Sequence, residues 1–259
     1  MASKLILVTG ASSGIGAATA KHYGAAGAKV LLLARNRDRL EAVASDIRAS
    51  DGSASPYAID LADADAVTEV SAEITADHGA PDVLINNAGT GRWLSILNTT
   101  PEEARAMMDV PYFAAFYVSR AFLPAMVARR SGRIACITSP AGYLAWADAC
   151  AYIAARHAMK GFAEAMRADL KGTGVSVTLV VLGTVETPYW EHNPGSREHL
   201  PATNPRLLPT LTPDQAASAI VDGVERRRRT VIKPGIFRAI FIANALFPTF
   251  VARQLRKKG

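Results

Sequence analysis

Three side chains are spaced so that they could act together on one oxygen atom of a substrate. Ser139 precedes Tyr152 by thirteen residues, and Arg156 follows Tyr152 by four. Residues at i and i+4 project from the same face of a helix, so Tyr152 and Arg156 should lie side by side. A neighbouring cation favours the phenolate, which lets the tyrosine exchange a proton with an alcohol near neutral pH. The spacing predicts a catalytic site, formed by Ser139, Tyr152 and Arg156, that interconverts a carbonyl and a hydroxyl group.

A glycine-rich segment near the start of the chain predicts a nucleotide-binding turn. Residues 9–16 read Thr-Gly-Ala-Ser-Ser-Gly-Ile-Gly, after an apolar run at 5–8 and before an alanine-rich helical stretch. Glycines in such a strand-turn-helix unit let the backbone approach a pyrophosphate, which rests on the helix N-terminus. A glycine triplet alone is a weak signal, because an ordinary turn between a strand and a helix has the same composition.

Further motifs in a fixed order make the signal specific. Residues 86–89 read Asn-Asn-Ala-Gly at the end of another apolar strand, and a Leu-Gly pair at 182–183 precedes Thr187. Together with the glycine-rich segment and the serine-tyrosine pair, these motifs resemble the short-chain dehydrogenase/reductase family from Lys4 to about Ile232. The resemblance implies a nicotinamide cofactor that supplies hydride, a serine that holds the substrate carbonyl, and a tyrosine that acts as general acid in reduction.

The residue after the second predicted strand indicates the form of the cofactor. That strand ends at Ala34 and Arg35 follows it, while Asp38 comes too late to hold a ribose 2′-hydroxyl as an NAD site would require. The planar fork of Arg35 can instead pair with a 2′-phosphate. The other interpretation is that Arg35 and Arg37 only solvate the start of a helix. We expect NADP rather than NAD.

By resemblance, the other cofactor contacts fall at the ends of the remaining strands. Asp60 would meet the adenine amino group, residues 87–89 would line the adenosine, and Thr187 would hold the nicotinamide carboxamide. Leu182 stands where the family usually has a proline, but the glycine and threonine that follow are kept. The residues expected to bind the cofactor are Gly10, Ser12, Ser13, Gly14, Ile15, Gly16, Arg35, Asp60, Leu61, Asn87, Ala88, Gly89, Tyr152, Arg156, Gly183, Val185 and Thr187.

Two positions depart from the family pattern. Arg156 replaces a lysine; arginine keeps the positive charge and the reach to ribose hydroxyls, but it cannot release a proton. Lys160 lies two helical turns from Tyr152 and off its face, so it should not substitute. Pro111 replaces an asparagine whose main-chain carbonyl is thought to hold a relay water in the family; proline keeps the carbonyl but bends the helix. The alternative function is therefore a protein that holds NADP(H) with little turnover and acts as a sensor or scaffold.

Strand-like and helix-like segments alternate along the chain. This predicts an α/β fold: one doubly wound, Rossmann-type domain over residues 1–259, with helices on both faces of a mostly seven-stranded parallel sheet. Strands are expected near 4–9, 28–34, 55–59, 82–86, 132–138, 175–181 and 230–232. Helices are expected near 14–26, 37–50, 63–78, 101–128, 150–171 and 213–227.

Composition narrows the classes of function. A chain of 259 residues with 49% hydrophobic content can bury one large core. Cys136 and Cys150 cannot form a disulfide framework, and the first strand leaves no room for a signal peptide, so we expect a cytoplasmic protein. The net charge of +6 is explained more simply by an anionic cofactor than by nucleic acid. His192 and His199 lack the spacing of metal ligands, so no metal site is predicted.

Aromatic and apolar residues surround the predicted site in sequence and indicate a lipophilic substrate. Residues 185–212, called the lid below, are rich in proline and aromatic side chains, as suits a mobile cover on an apolar pocket. Further residues of this kind flank the catalytic positions: Trp93, Leu94, Tyr143, Leu144 and Trp146. The other interpretation is that these side chains only pack against the lid.

The C-terminal tail, residues 236–259, is mostly apolar, is interrupted by Pro248 and ends in a basic segment at 253–258. Such a segment could lie on a membrane, cover a neighbouring subunit or cover the substrate mouth. We favour packing against protein and expect a homo-oligomer. Deletion of the tail should then harm assembly or solubility more than it releases the chain from lipid.

Overall fold

The computed structural model describes residues 4–201 and 204–255 of the chain. The strands are β1 (Leu5–Thr9), β2 (Lys29–Ala34), β3 (Ser53–Ala58), β4 (Val83–Asn86), β5 (Gly132–Thr138), β6 (Val175–Leu182) and β7 (Thr230–Lys233). The helices are α1 (Gly14–Ala25), α2 (Arg37–Arg48), α3 (Ala64–His78), α4 (Pro101–Met108), α5 (Ala114–Ala128), α6 (Cys150–Asp169), α7 (Tyr189–His192), α8 (Pro213–Glu225), α9 (Phe237–Leu246) and α10 (Pro248–Leu255). The strands form one seven-stranded sheet in the order β3-β2-β1-β4-β5-β6-β7, with every neighbouring pair parallel. The predicted doubly wound α/β fold is confirmed.

The order of the strands reverses at the centre of the sheet. The chain runs from β1 outward through β2 and β3, then returns to place β4 on the other side of β1. In parallel sheets of this kind, ligands bind outside the carboxyl ends of the strands at the point of reversal. The turns that follow β1 and β4 carry the glycine-rich segment and the Asn-Asn-Ala-Gly motif, so the topology directs both motifs to one crevice.

The central strands β1 and β4 are buried along their whole length because helices cover both faces of the sheet. Ile6 and Val8 of β1 pack in the core under α1, α2 and α8. Leu7, between them, packs in the opposite core under α3, α5 and α6. All three side chains are fully buried, as the alternation of side chains along a strand requires when both faces are covered.

Side chains cap several helices, but not the helix that follows the glycine-rich turn. The N-terminal N–H groups of α2, α3, α4 and α8 are capped by Asn36, Asp63, Thr100 and Thr212. Ser13 precedes α1, and its side chain makes no capping hydrogen bond. The first N–H groups of α1 are thus left without a side-chain acceptor at the edge of the crevice.

The single helix predicted over 101–128 is interrupted. Between α4 and α5, residues Asp109–Phe113 form a π-helical segment in which Val110 has non-helical angles, φ −131° and ψ 103°. Pro111 has no N–H to donate, so the expected bend occurs beside it. Within the described residues, the stretch Pro101–Ala128 alone is long and apolar enough to cross a membrane by length and composition. Its buried residues, such as Phe122, pack in the core beside the sheet.

Pro248 divides the tail into α9 and α10, as expected. The inner side of the pair packs on the body of the protein, where Phe237 and Val251 are buried. The basic residues expected at 256–258 lie outside the described residues.

Candidate active site

A cavity of about 1160 Å³ opens at the carboxyl ends of the central strands. It joins the glycine-rich turn, the ends of β2, β4 and β5, the start of α6 and the lid. All but one of the residues predicted for the site line this cavity: Ser139, Tyr152, Arg156, Gly10, Ser12, Ser13, Gly14, Ile15, Arg35, Asp60, Leu61, Asn87, Ala88, Gly89, Gly183, Val185 and Thr187. Gly16 does not line it.

The predicted catalytic hydroxyls are in contact. The Tyr152 hydroxyl donates to Ser139 Oγ at 3.2 Å. Ser139 Oγ also accepts the N–H of Ala141 at 3.1 Å, because Ser139 caps a short 3-10 turn after β5. Since both contacts use Ser139 as the acceptor, its own hydroxyl hydrogen is free to be donated to a substrate oxygen.

Arg156 lies one helical turn beyond Tyr152 and holds its charge inside the protein. The side chain is 7% exposed, and its guanidinium carbon is 4.8 Å from the centroid of the Tyr152 ring. Among the described residues no carboxylate pairs with Arg156, and its Nε has no hydrogen-bond partner. A buried cation without a counter-ion is costly, so this site suits a ligand that brings polar or anionic groups. The absence of a side chain at Gly89 leaves space for the Arg156 guanidinium, because a Cβ there would lie 3.1 Å from one of its terminal nitrogens.

The glycine-rich turn fits a phosphate group. Gly10 and Gly14 have φ of +65° and +53°, which side chains rarely adopt. A Cβ on Gly14 would come within 3.0 Å of Thr187 and fill the space at the start of α1. A helix N-terminus without a side-chain cap is a ready site for an anion. Gly16 serves close packing instead, because a Cβ there would lie 2.2 Å from the Gly10 carbonyl oxygen.

The end of β2 offers cations and no carboxylate. Arg35 lines the cavity and is exposed, whereas Arg37 and Asp38 do not line it. Arg39 also lines the cavity, and its guanidinium is 3.1 Å from His192 Nε2 in the lid. Two arginines suit a phosphate group better than a ribose diol. Sequence reasoning missed Arg39, which lies in the first turn of α2, shortly after the predicted Arg35.

The other end of the cavity is aromatic. Trp93, Trp146 and Trp190 are the three tryptophans of the chain, and all of them line it. The Trp93 ring is 4.8 Å from the Tyr152 ring, 5.3 Å from Trp146 and 5.7 Å from Trp190, measured between centroids. We call these four residues with Tyr189 the aromatic cluster. Such rings form an apolar wall directly beside the catalytic tyrosine.

Hydrogen bonds hold the lid against this wall. Ser196 Oγ accepts the Trp93 N–H at 2.9 Å, and Asn193 Oδ1 accepts the Gly91 N–H at 3.2 Å. The Tyr189 hydroxyl accepts the Trp93 indole N–H at 3.0 Å and donates to the Gly91 carbonyl. Burial, and secondarily the nearby Tyr152, raises the pKa of Tyr189, which keeps its phenol neutral for both bonds. These hydrogen bonds, which we call the latch, tie the lid to the segment that follows β4.

The sequence comparisons agree with this geometry. The model of the short chain dehydrogenase family matches residues 4–197. This chain belongs to that family. A fatty acyl-CoA reductase of Acinetobacter baylyi is 34% identical over 88% of this chain and 75% of that protein. An uncharacterized oxidoreductase of Mycobacterium tuberculosis is 36% identical over 96% of this chain and 72% of that protein. A metagenomic short-chain oxidoreductase, solved in complex with NADP, has a TM-score of 0.71 and 35% identity, covering 84% of this chain and 88% of that one.

The structure of this chain shows where the residues concerned in its departures from the family lie. Lys160 Nζ lies 5.0 Å from the Tyr143 ring centroid and 3.4 Å from Glu164, so it is engaged away from Tyr152. The carbonyl of Pro111 accepts the N–H of Ala114. Asp109 and Val110 line the cavity, but Pro111 does not. The residues that line the cavity therefore do not support the expected role of the Pro111 carbonyl, which was to hold a relay water.

Some of the residues expected to flank the site lie outside the cavity. Leu144 lines the cavity together with the tryptophans, but Leu94 and Tyr143 do not. Tyr143 instead stacks on Phe241 of α9. The lid residues Asn193 and Ser196 were not identified from the sequence. Their partners are about a hundred residues away in the chain, so no local pattern marks them.

Proposed function

We propose that this oxidoreductase of the short-chain family uses NADP to interconvert a carbonyl and a hydroxyl group on a lipophilic small molecule. The observation that carries the proposal is the 3.2 Å contact of Tyr152 with Ser139, beside the buried Arg156, which pairs with no carboxylate of the described residues. A proton donor, an oxygen-binding hydroxyl and a cation are gathered in one cavity. They are the groups that carbonyl reduction needs from the protein.

Each side chain has a separate task in reduction. The nicotinamide cofactor, when bound, supplies hydride to the carbonyl carbon. The free hydrogen of the Ser139 hydroxyl binds the carbonyl oxygen, and the Tyr152 hydroxyl gives its proton to that oxygen as negative charge develops there. Arg156 stabilises the phenolate that remains on Tyr152. Because an arginine does not release its proton, Tyr152 must be reprotonated by a route other than Arg156.

Charge at the end of β2 supports NADP over NAD. Arg35 and Arg39 line the cavity where an adenosine 2′-phosphate would lie, and no carboxylate of the described residues stands there to hold a 2′-hydroxyl. The metagenomic oxidoreductase that shares 35% identity was solved with NADP.

The wall of the cavity supports a lipophilic substrate. Leu144, Leu200 and Ile240 line the same cavity as the aromatic cluster. Apolar and aromatic walls with a few fixed polar groups are typical of sites for small apolar ligands. The fatty acyl-CoA reductase at 34% identity acts, by its name, on a carbonyl compound with a long apolar chain, which supports the same class of substrate.

A second function, NADP(H) binding with little turnover, is favoured by one observation: the Pro111 carbonyl accepts the N–H of Ala114 and Pro111 does not line the cavity. The experiment that separates the two functions combines NADPH titration with NADPH oxidation on a panel of apolar aldehydes and ketones. Binding together with substrate-dependent oxidation supports the enzyme. Binding without oxidation of NADPH by any carbonyl supports the sensor or scaffold.

A further inference from the structure

The helix pair α9–α10 presents two different faces. Its inner face is fixed to the body of the protein: Phe241 stacks on Tyr143 with ring centroids 4.2 Å apart, and Asn244 Nδ2 donates to the Tyr143 carbonyl at 3.1 Å. Phe237, Ile240 and Leu255 line the cavity. The inner face therefore packs against Tyr143 and also forms part of the wall of the active-site cavity.

The outer face of the pair is apolar and exposed. Ile242, Leu246, Phe247 and Phe250, which we call the outer face, are 63%, 66%, 62% and 62% exposed. Ile242 and Leu246 are four residues apart on α9, and Phe247 and Phe250 follow at the junction with α10. Large apolar side chains gathered on one element mark a site of interaction with protein or membrane.

The charge of this region favours a negatively charged partner. The tail, residues 236–259, contains five lysines and arginines and no aspartate or glutamate. Arg238 and Arg253, on α9 and α10, are exposed, and neither pairs with a carboxylate among the described residues. In a symmetric contact between two copies, the same cationic segment would face itself, which costs free energy. An anionic lipid headgroup layer instead matches an apolar face flanked by cations.

In contrast to the packing against protein that the sequence alone favours, we propose that the outer face of α9–α10 binds the surface of an anionic lipid bilayer. Phe247 and Phe250 enter the boundary between headgroups and acyl chains, and Arg238 and Arg253 contact the headgroups. The same two helices close one side of the cavity. They therefore place the cavity next to the bilayer, from which an apolar substrate can be drawn; this last step rests on the proposed function.

The test is co-sedimentation of the full chain with vesicles, without cofactor or substrate. We expect binding to vesicles of phosphatidylglycerol and phosphatidylcholine, and at least about tenfold weaker binding to vesicles of phosphatidylcholine alone or in high salt. The double variant Phe247→Ser, Phe250→Ser should lose at least about tenfold in affinity for the anionic vesicles. The matched control is Ile96→Ser, Leu97→Ser, which changes two exposed apolar side chains on the loop before α4 and should bind as the unaltered chain does.

Thermal unfolding of each variant checks that it is folded, and vesicle binding needs no turnover. Failure of the proposed enzymatic function would thus leave this test intact. The proposal is overturned if the intact chain does not bind anionic vesicles, or if the double variant binds them as well as the control does. It is also overturned if the double substitution abolishes only self-association, measured by sedimentation velocity without lipid, because the outer face would then be a contact between copies.

Discussion

The cofactor half of the cavity is formed by backbone at the ends of adjacent strands, whereas the substrate half is closed by side chains of the lid. In the cofactor half, Asn87 Nδ2 donates to the Thr9 and Gly10 carbonyls at 3.0 and 3.3 Å, which ties the turn after β4 to the turn after β1. In the substrate half, Ser196 reaches back to Trp93 across 103 residues of sequence. The first half depends on the sheet itself, and the second depends on closure of the lid.

Because the two halves are built differently, substitutions in each half should change different properties. Substitutions in the cofactor half should alter affinity for NADPH whatever the substrate. Substitutions at Asn193 and Ser196 of the lid should alter substrate binding and leave NADPH affinity nearly unchanged. The hydroxyls of Ser139 and Tyr152 lie between the two halves, so their removal should lower the rate of the chemical step more than it changes either affinity.

The largest effect is expected for Tyr152→Phe, which should lower the rate of the chemical step without changing the cofactor half or the substrate half of the cavity. The change removes one hydroxyl and little contact area, so kcat should fall by roughly 10² to 10⁴-fold while NADPH affinity stays nearly intact. Steady-state kinetics with one accepted carbonyl, together with NADPH fluorescence titration, measures both quantities. Full activity in Tyr152→Phe would show that the assigned mechanism is wrong.

The next effect concerns the cofactor half alone. Arg35→Asp replaces a charged hydrogen-bond donor for a 2′-phosphate by an acid, so NADPH affinity should fall by about 10- to 100-fold and the preference over NADH should narrow or reverse. Arg37→Asp makes the same change of charge two residues away, outside the lining of the cavity, and is the control. Cofactor preference that is equal in the two variants would argue against a 2′-phosphate site at Arg35.

A smaller effect should isolate the lid. Ser196→Ala leaves the buried N–H of Trp93 without its acceptor, which costs about 1–3 kcal/mol and weakens the latch. We expect a higher KM for substrate with unchanged NADPH affinity. Since all three tryptophans belong to the aromatic cluster, intrinsic fluorescence reports the change directly. Ser71→Ala, at a buried serine on α3, is the matched control, and equal spectra for the two variants would count against the latch.

The smallest effect is expected for a substitution at Arg156, between the cofactor half and the substrate half of the cavity. Arg156→Lys restores a group that can transfer a proton, so kcat should rise by a few fold or its pH optimum should shift. Lys160→Arg makes the reverse exchange one helical turn away, beside Tyr143, and should change neither. Adding Pro111→Asn to the Arg156→Lys variant should raise kcat further only if a relay water is disturbed in the present chain. The pH–rate profile of each variant decides; a slower Arg156→Lys variant with an unchanged profile would contradict this account of the relay.

The contrast between the cofactor half and the substrate half also explains which features could be predicted from the sequence. The apolar strands, the glycine-rich turn and the residues directly after each strand are local patterns, and the sheet topology brings them together. Arg35, Asn87 and Tyr152 were therefore found at the cavity as expected. The break in the helix at Val110, the latch of Ser196 and the stacking of Tyr143 on Phe241 depend on contacts distant in sequence or on local distortion, which periodicity does not encode.

The most direct test of the central claim is transfer of an isotopic label. NADPH with both hydrogens at C4 of the nicotinamide replaced by deuterium is incubated with the protein and a panel of lipophilic aldehydes and ketones, and the alcohols are analysed by mass spectrometry. We expect an alcohol with one deuterium on the former carbonyl carbon, and loss of this product in Tyr152→Phe. NADPH binding without any deuterated alcohol would contradict the enzymatic function and favour the sensor or scaffold.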